Sequence, residues 1–173
     1  MSLALRHRPE VIGISVDEQG WAAVDEVLKG INEKGLTVDR ELLQQVVAGN
    51  DKQRFSFNED QTLIRANQGH SISVDLQLNP VEPPPILYHG TATDHLPAIR
   101  KNGLQRQARQ HVHLSDKVET ARQVGLRHGK VVIIEIEAGK MHAQGYSFYL
   151  SANKVWLTDA VPVEFITLPA IAE

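Results

Sequence analysis

The sequence predicts an α+β protein of two lobes, and three observations carry that reading. Short helices and a hairpin fill the first half, short β-type runs dominate the second, and Pro83, Pro84 and Pro85 stand in a row between them. With 173 residues, 42% of them hydrophobic, the chain can bury a core in one ordinary domain or in two small lobes.

Taken in order, Leu5-Arg6-His7-Arg8-Pro9 reads as a basic helix end stopped by proline. Val24, Val27, Leu28 and Ile31 recur at helical spacing after Gly20-Trp21. Leu42, Leu43, Val46 and Val47 do the same after a predicted Asp39 cap and end at Gly49-Asn50, so both segments are expected to be amphipathic helices. Arg54-Phe55-Ser56-Phe57 then alternates with period two, Asn58-Glu59-Asp60 supplies a turn, and Thr62-Leu63-Ile64-Arg65 returns. Helices followed by a β-wing predict a winged-helix lobe over residues 1–80.

The proline run disfavours helix, so residues 81–85 are expected to form a stiff extended linker. Residues 86–173 form the second lobe, with strands expected over 86–89, 111–114, 131–136, 147–150, 155–157 and 163–168 around a mostly antiparallel sheet. One helix should precede Gly103, and another should run from Asp116 through Arg127 with His128-Gly129 as its stop.

Composition narrows the function. Cysteine is absent, which excludes disulfides and thiolate metal sites and fits a reducing, cytoplasmic setting. No apolar run approaches the roughly 20 residues that span a bilayer, so no membrane role is expected. The net charge of −3 argues against a broad polyanion binder. Residues 1–80 carry 8 Lys and Arg against 12 Asp and Glu, a balance of −4, while residues 81–173 stand at +1. Any nucleic-acid contact must therefore be local. Arg6, Arg8, Arg54, Arg65 and Arg109, if they converge, would make one positive spot of the size that recognises one phosphate. Eight histidines show no HExxH or similar ligand spacing, and no metal site is expected. Walker A, GxGxxG and GxSxG sequences are also missing, so kinase, Rossmann and α/β-hydrolase readings lack their anchors.

The chemistry is carried by polar segments. In Arg109-Gln110-His111-Val112-His113-Leu114-Ser115, the arginine and both histidines fall at alternate positions of a short strand, opposite apolar Val112 and Leu114. Tyr88-His89-Gly90-Thr91 ends another strand in a small polar turn where backbone can approach a ligand. Together they point to a nucleotide pocket. Arg65-Ala66-Asn67-Gln68-Gly69-His70-Ser71 is either a ligand loop or a mere connector, and the basic Arg6-His7-Arg8 run is either an anion site or a solvated helix end.

The motifs LRHRP, DKQRF, IRANQGHS, YHGT and RQHVHLS, in this order, closely resemble the RNA 2′-phosphotransferase family, and Gly20-Trp21 and the late VWLTDAVPVEFI run are similar to it as well. The resemblance implies an RNA-holding winged-helix lobe followed by an NAD-binding lobe of the ADP-ribosyltransferase type. It places catalytic roles on Arg6, His7, Arg54 and Arg109, and NAD contacts on His89, Gly90, Thr91, His113 and Ser115. Arg65, Gln68, His70 and Ser71 fall on a motif that the resemblance sets near the RNA substrate. Only Met1 to Leu5 precede Arg6, where the family carries a longer helical segment.

The chemistry so implied removes an internal RNA 2′-phosphate, as at a tRNA splice junction, with NAD as co-substrate and no metal. The phosphate first displaces nicotinamide from the NAD ribose. The neighbouring ribose hydroxyl then attacks phosphorus, which frees the RNA 2′-OH and gives ADP-ribose 1″,2″-cyclic phosphate. Arginine forks suit charge gathering on phosphoryl oxygens, and histidine suits proton transfer near neutrality. A monomer is expected. The competing reading is an ADP-ribosyltransferase acting on nucleic-acid phosphate ends or on protein, which would keep the HGT turn but would not need the arginine set.

Overall fold

The computed structural model describes residues 1–169, and the chain divides into two compact units, Met1–Leu78 and a second from Asn79 onward. It is mixed α and β, as expected.

The first unit begins with α1 (Ser2–Arg6) and a 3-10 turn over Pro9–Ile12. Next come β1 (Ala22–Ala23), α2 (Val24–Asn32), α3 (Arg40–Ala48), β2 (Phe55–Phe57) and β3 (Leu63–Ala66). Asp39 caps α3 as predicted, its carboxylate accepting from the Leu42 N–H at 2.8 Å. The strands form an antiparallel sheet of order β1-β3-β2, with Phe55 opposite Ala66 and Phe57 opposite Ile64. Leu5, Val24, Val27, Ile31, Leu43, Phe55 and Ile64 close the core. The apolar pattern of α3 overstates its burial: Leu43 is 1% exposed, whereas Leu42 and Val46 stand 40% and 45% exposed. Of this nine-residue helix only Leu43 enters the buried cluster, so it turns one narrow stripe inward.

The second unit contains β4 (Leu87–Ala92), α4 (Leu96–Asn102), β5 (Leu104–Gln105), β6 (Val112–Leu114), α5 (Val118–Gly125) and β7 (Val131–Ile136). It continues through α6 (Ala138–Ala143), β8 (Tyr149–Leu150), β9 (Trp156–Thr158), β10 (Ala160–Val161) and β11 (Ile166–Thr167). The single antiparallel sheet expected here is instead three antiparallel sheets, β11-β7-β4, β6-β9-β8 and the ribbon β10-β5. Paired backbone bonds between Tyr88 and Ser115, at 2.7 and 2.9 Å, link the first two. Gly103 follows α4 at φ 71°, and α5 runs into a 3-10 turn before Gly129, both as the sequence indicated.

Two other expectations are corrected. The strand expected over 163–168 opens as a 3-10 turn (Val163–Phe165) and only then pairs with β7, because Pro162 has no N–H for a ladder. The proline segment packs on the second unit, where Val81 N–H donates to Phe148 O at 2.8 Å and Gly139 N–H to Pro85 O at 3.0 Å. Helix α6 was not predicted, since its buried Ala138 and Met141 give one repeat only and Gly139 reads as a turn.

Gly90 and Gly125 set the spacing of α5 on β4. A Cβ on Gly90 would lie 1.7 Å from the Ala121 carbonyl oxygen, and one on Gly125 would lie 2.4 Å from Val131 Cγ2. Backbone cannot yield as a flexible side chain does, so Gly90→Ala is expected to destabilise the protein by about 2–3 kcal/mol or prevent folding. A thermal melt showing an unchanged midpoint would contradict this packing.

Candidate active site

In the first unit, three separated sequence motifs are drawn together by hydrogen bonds to backbone. The Ser71 N–H donates to the Arg6 carbonyl at 2.9 Å, which satisfies a carbonyl at the open end of α1. The Asn67 N–H donates to the Arg54 carbonyl at 2.9 Å, and the Asn67 side chain donates to Gln53 O at 2.6 Å. The Gln68–Ser71 loop thus runs from the strand that carries Arg54's partner to the helix end that carries Arg6 and His7.

The side chains gathered there are mostly cationic. Arg6 is 8% exposed, with its guanidinium 6.0 Å from the Phe55 ring centroid. Arg65 is half-buried and lies 4.4 Å over the Trp21 ring, close enough for a cation–π contact. Burial lowers the Arg65 pKa from its ordinary value, and the charge of Asp17 opposes that shift. His7 Nδ1 shares a hydrogen bond with Ser71 Oγ at 2.8 Å. Arg54 is half-buried just before β2, and no ion pair among the described residues engages it or Arg65. Arg8, which the sequence reading placed in the same positive spot, is exposed and donates instead to Glu10 at 3.1 Å.

His70 lies inside this group at 1% exposure, and neither ring nitrogen has a hydrogen-bond partner. Loss of solvent, followed by the charges of Arg6, His7 and Arg65, pushes its pKa from 6.5 down to about 4. It is therefore neutral at physiological pH and sits behind the loop surface, while Gln68 is half-buried and Ser71 exposed.

In the second unit, the Tyr88–Ser115 bridge sets the YHGT strand beside the HVHLS strand. Val112 and Leu114 are buried and His111 and His113 are not, as predicted, but the strand covers only Val112–Leu114, so Arg109 and His111 lie before it and not on it. Arg109 Nη1 donates to His113 Nδ1 at 2.6 Å, and His89 Nδ1 donates to the His113 carbonyl at 3.0 Å. Two predicted contacts are turned inward by neighbours. The Thr91 hydroxyl, 5% exposed, bonds His95 Nδ1 at 2.9 Å, and the Ser115 hydroxyl accepts from Lys117 N at 3.1 Å and donates to Lys117 O at 3.0 Å. Gly90 offers backbone only, its Cα facing α5. A separate cavity of about 650 Å³ at the start of β7, lined by Leu96, Arg100, Arg122, Lys130 and Val132 among others, includes none of these residues. No group of metal-ligating side chains occurs among the described residues.

Sequence reasoning assigned no role to Trp21, Asn67 or His95, which hold Arg65, the Arg54 strand and Thr91. Gly20-Trp21 had stood out only as a motif, since nothing local in sequence reports a stack between two distant segments.

The first cluster is a cationic, half-buried corner within an α+β protein. Residues 1–160 match the family described as RNA 2′-phosphotransferase, Tpt1 / KptA family, and the chain belongs to it. A relative from Fusobacterium nucleatum subsp. nucleatum, named "Probable RNA 2'-phosphotransferase", is 53% identical over 96% of this chain and 93% of its own length. One of the same name from Trichormus variabilis is 54% identical over 96% of this chain and 91% of its own, and one from Hahella chejuensis is 52% identical over 97% and 90%. The family is one of transferases.

The low pKa of His70 has a sign that can be tested. The unfolded chain takes up a proton near pH 6.5 while the folded chain resists until about 4, so stability held above pH 6.5 is lost as pH falls through that window. His70→Gln should flatten this acid limb in melts recorded from pH 7 to 4. An NMR titration of His70 near pH 6.5 would contradict the assignment.

Proposed function

We propose that this protein is an NAD-dependent RNA 2′-phosphotransferase that removes an internal 2′-phosphate, as at a tRNA splice junction, and works as a cytoplasmic monomer. In this reading the first unit is a winged-helix RNA lobe and the second an ADP-ribosyltransferase-type NAD lobe. The observation that carries it is the corner formed by Arg6, His7 and Arg65, which is rich in donors. Such a corner suits a dianion better than any neutral group.

The YHGT and HVHLS strands fit a dinucleotide, because their bridge lines up His89, His113 and the Gly90 backbone along one polar strip. NAD supplies a ribosyl carbon from which nicotinamide departs as a neutral base. The chain's own residues do the rest. Arg6 and Arg54 hold phosphoryl oxygens, Arg65 supports the charge from its stack on Trp21, and His7 carries a proton between phosphate and ribose oxygens. The resemblance also gives a catalytic role to Arg109, which donates to His113 from just before β6 in the second unit.

Incubation with NAD and an RNA bearing one internal 2′-phosphate should release nicotinamide and RNA with a 2′-OH, in chelator as readily as without it. Arg54→Ala and Arg109→Ala should slow product release by about a hundredfold or more, leaving RNA that retains label from the adenylate of NAD. Dephosphorylation without NAD, or its loss in chelator, would contradict the proposal. Label ending permanently on RNA termini or on protein would favour an ADP-ribosyltransferase of another specificity.

A further inference from the structure

We infer that Ser71 is a positioning residue for His7: its hydroxyl fixes the imidazole through Nδ1 and so sets how the ring is presented to the substrate phosphate. The inference rests on the function proposed above and assigns Ser71 a place behind His7 rather than on the RNA.

His7 follows the last residue of α1 and has left helical geometry, at φ −133° and ψ −46°. A side chain one residue beyond a short helix gains little orientation from the helix itself. What holds it is a segment far along the chain. The Ser71 N–H and, at 3.4 Å, the Ile72 N–H both point at the Arg6 carbonyl, while Ser71 Oγ meets His7 Nδ1 at 2.8 Å. One residue therefore ties down the backbone of Arg6 and the ring of His7 together. A histidine that must exchange protons with an oxygen gains from a fixed ring and a fixed tautomer, and the hydrogen bond at one nitrogen decides what the other can do.

The loop is rigid enough to serve. His70, next to Ser71, is buried in the unit, and its Nε2 would lie 3.4 Å from a Cβ placed on Gly20. Gly20 sits at φ 82°, where a side chain would be strained as well. Buried His70 thus anchors the segment against the Gly20-Trp21 turn, and Ser71 projects from that anchor to the helix end.

A hydroxyl–imidazole bond could equally be plain structural adhesion, so the test needs readouts that adhesion would not move. Ser71→Ala keeps the backbone bond to Arg6 and should leave the melting midpoint within a few degrees. It should lower kcat by about ten- to a hundredfold with KM for 2′-phosphorylated RNA changed less than about threefold. The ring ¹⁵N shifts of His7, distinct for one tautomer in the parent, should move toward averaged values, and Ser71→Thr should restore both shifts and turnover. Unchanged shifts, or a loss confined to KM, would overturn the inference and make Ser71 a cap or a direct RNA contact. A parent protein inactive on this RNA would overturn the functional reading and the effect on kcat with it. The ring shifts would still decide whether Ser71 sets His7.

Discussion

Crowding of like charge is the constraint on which the first unit depends. Arg6, His7, Arg65 and His70 share one partly buried corner, and the unit tolerates them because His70 stays neutral. A charged His70 would lose its hydration and be repelled by Arg6, His7 and Arg65. The aromatic faces of Trp21 and Phe55 lie against the two guanidinium groups and soften the rest. We propose that this corner receives the RNA phosphate, a local cationic spot in a unit whose overall balance is −4.

The second unit solves a different problem by packing. Gly90 and Gly125 let α5 press directly onto β4, so the HGT segment, which lies within the Leu87–Ala92 strand and not in the turn the sequence suggested, is backed by helix backbone rather than by side chains. On the neighbouring strand, the bond from Arg109 leaves His113 Nδ1 as an acceptor, and His113's own carbonyl receives His89. The result is a polar strip whose orientation is set by main chain, and it is the surface we propose for the dinucleotide.

Much of this was legible in the sequence, for reasons specific to each segment. Asp39 announced a cap, the Phe55 and Phe57 alternation announced a hairpin, and Val112 and Leu114 announced which side of β6 would be buried. These signals are local, and the physics that uses them is local too. The burial of α3 was overstated because apolar periodicity gives a face but not the width of what it packs against. The Arg65 stack on Trp21, the seating of His70 behind its loop and the Ser71–His7 bond join segments distant along the chain. Composition marked 65–71 only as either connector or ligand loop. Tertiary contact is what makes the same seven residues support the anion corner.

The central claim is that the first unit's cationic corner recognises the 2′-phosphate itself. Titration calorimetry without NAD, comparing one short RNA with and without its internal 2′-phosphate, tests that claim most directly. The account predicts at least about tenfold tighter binding of the phosphorylated RNA, a preference that Arg6→Gln abolishes, and a shallow salt dependence corresponding to about two to four phosphates. Equal affinity for the two RNAs, or a steep salt slope shared by both, would contradict it.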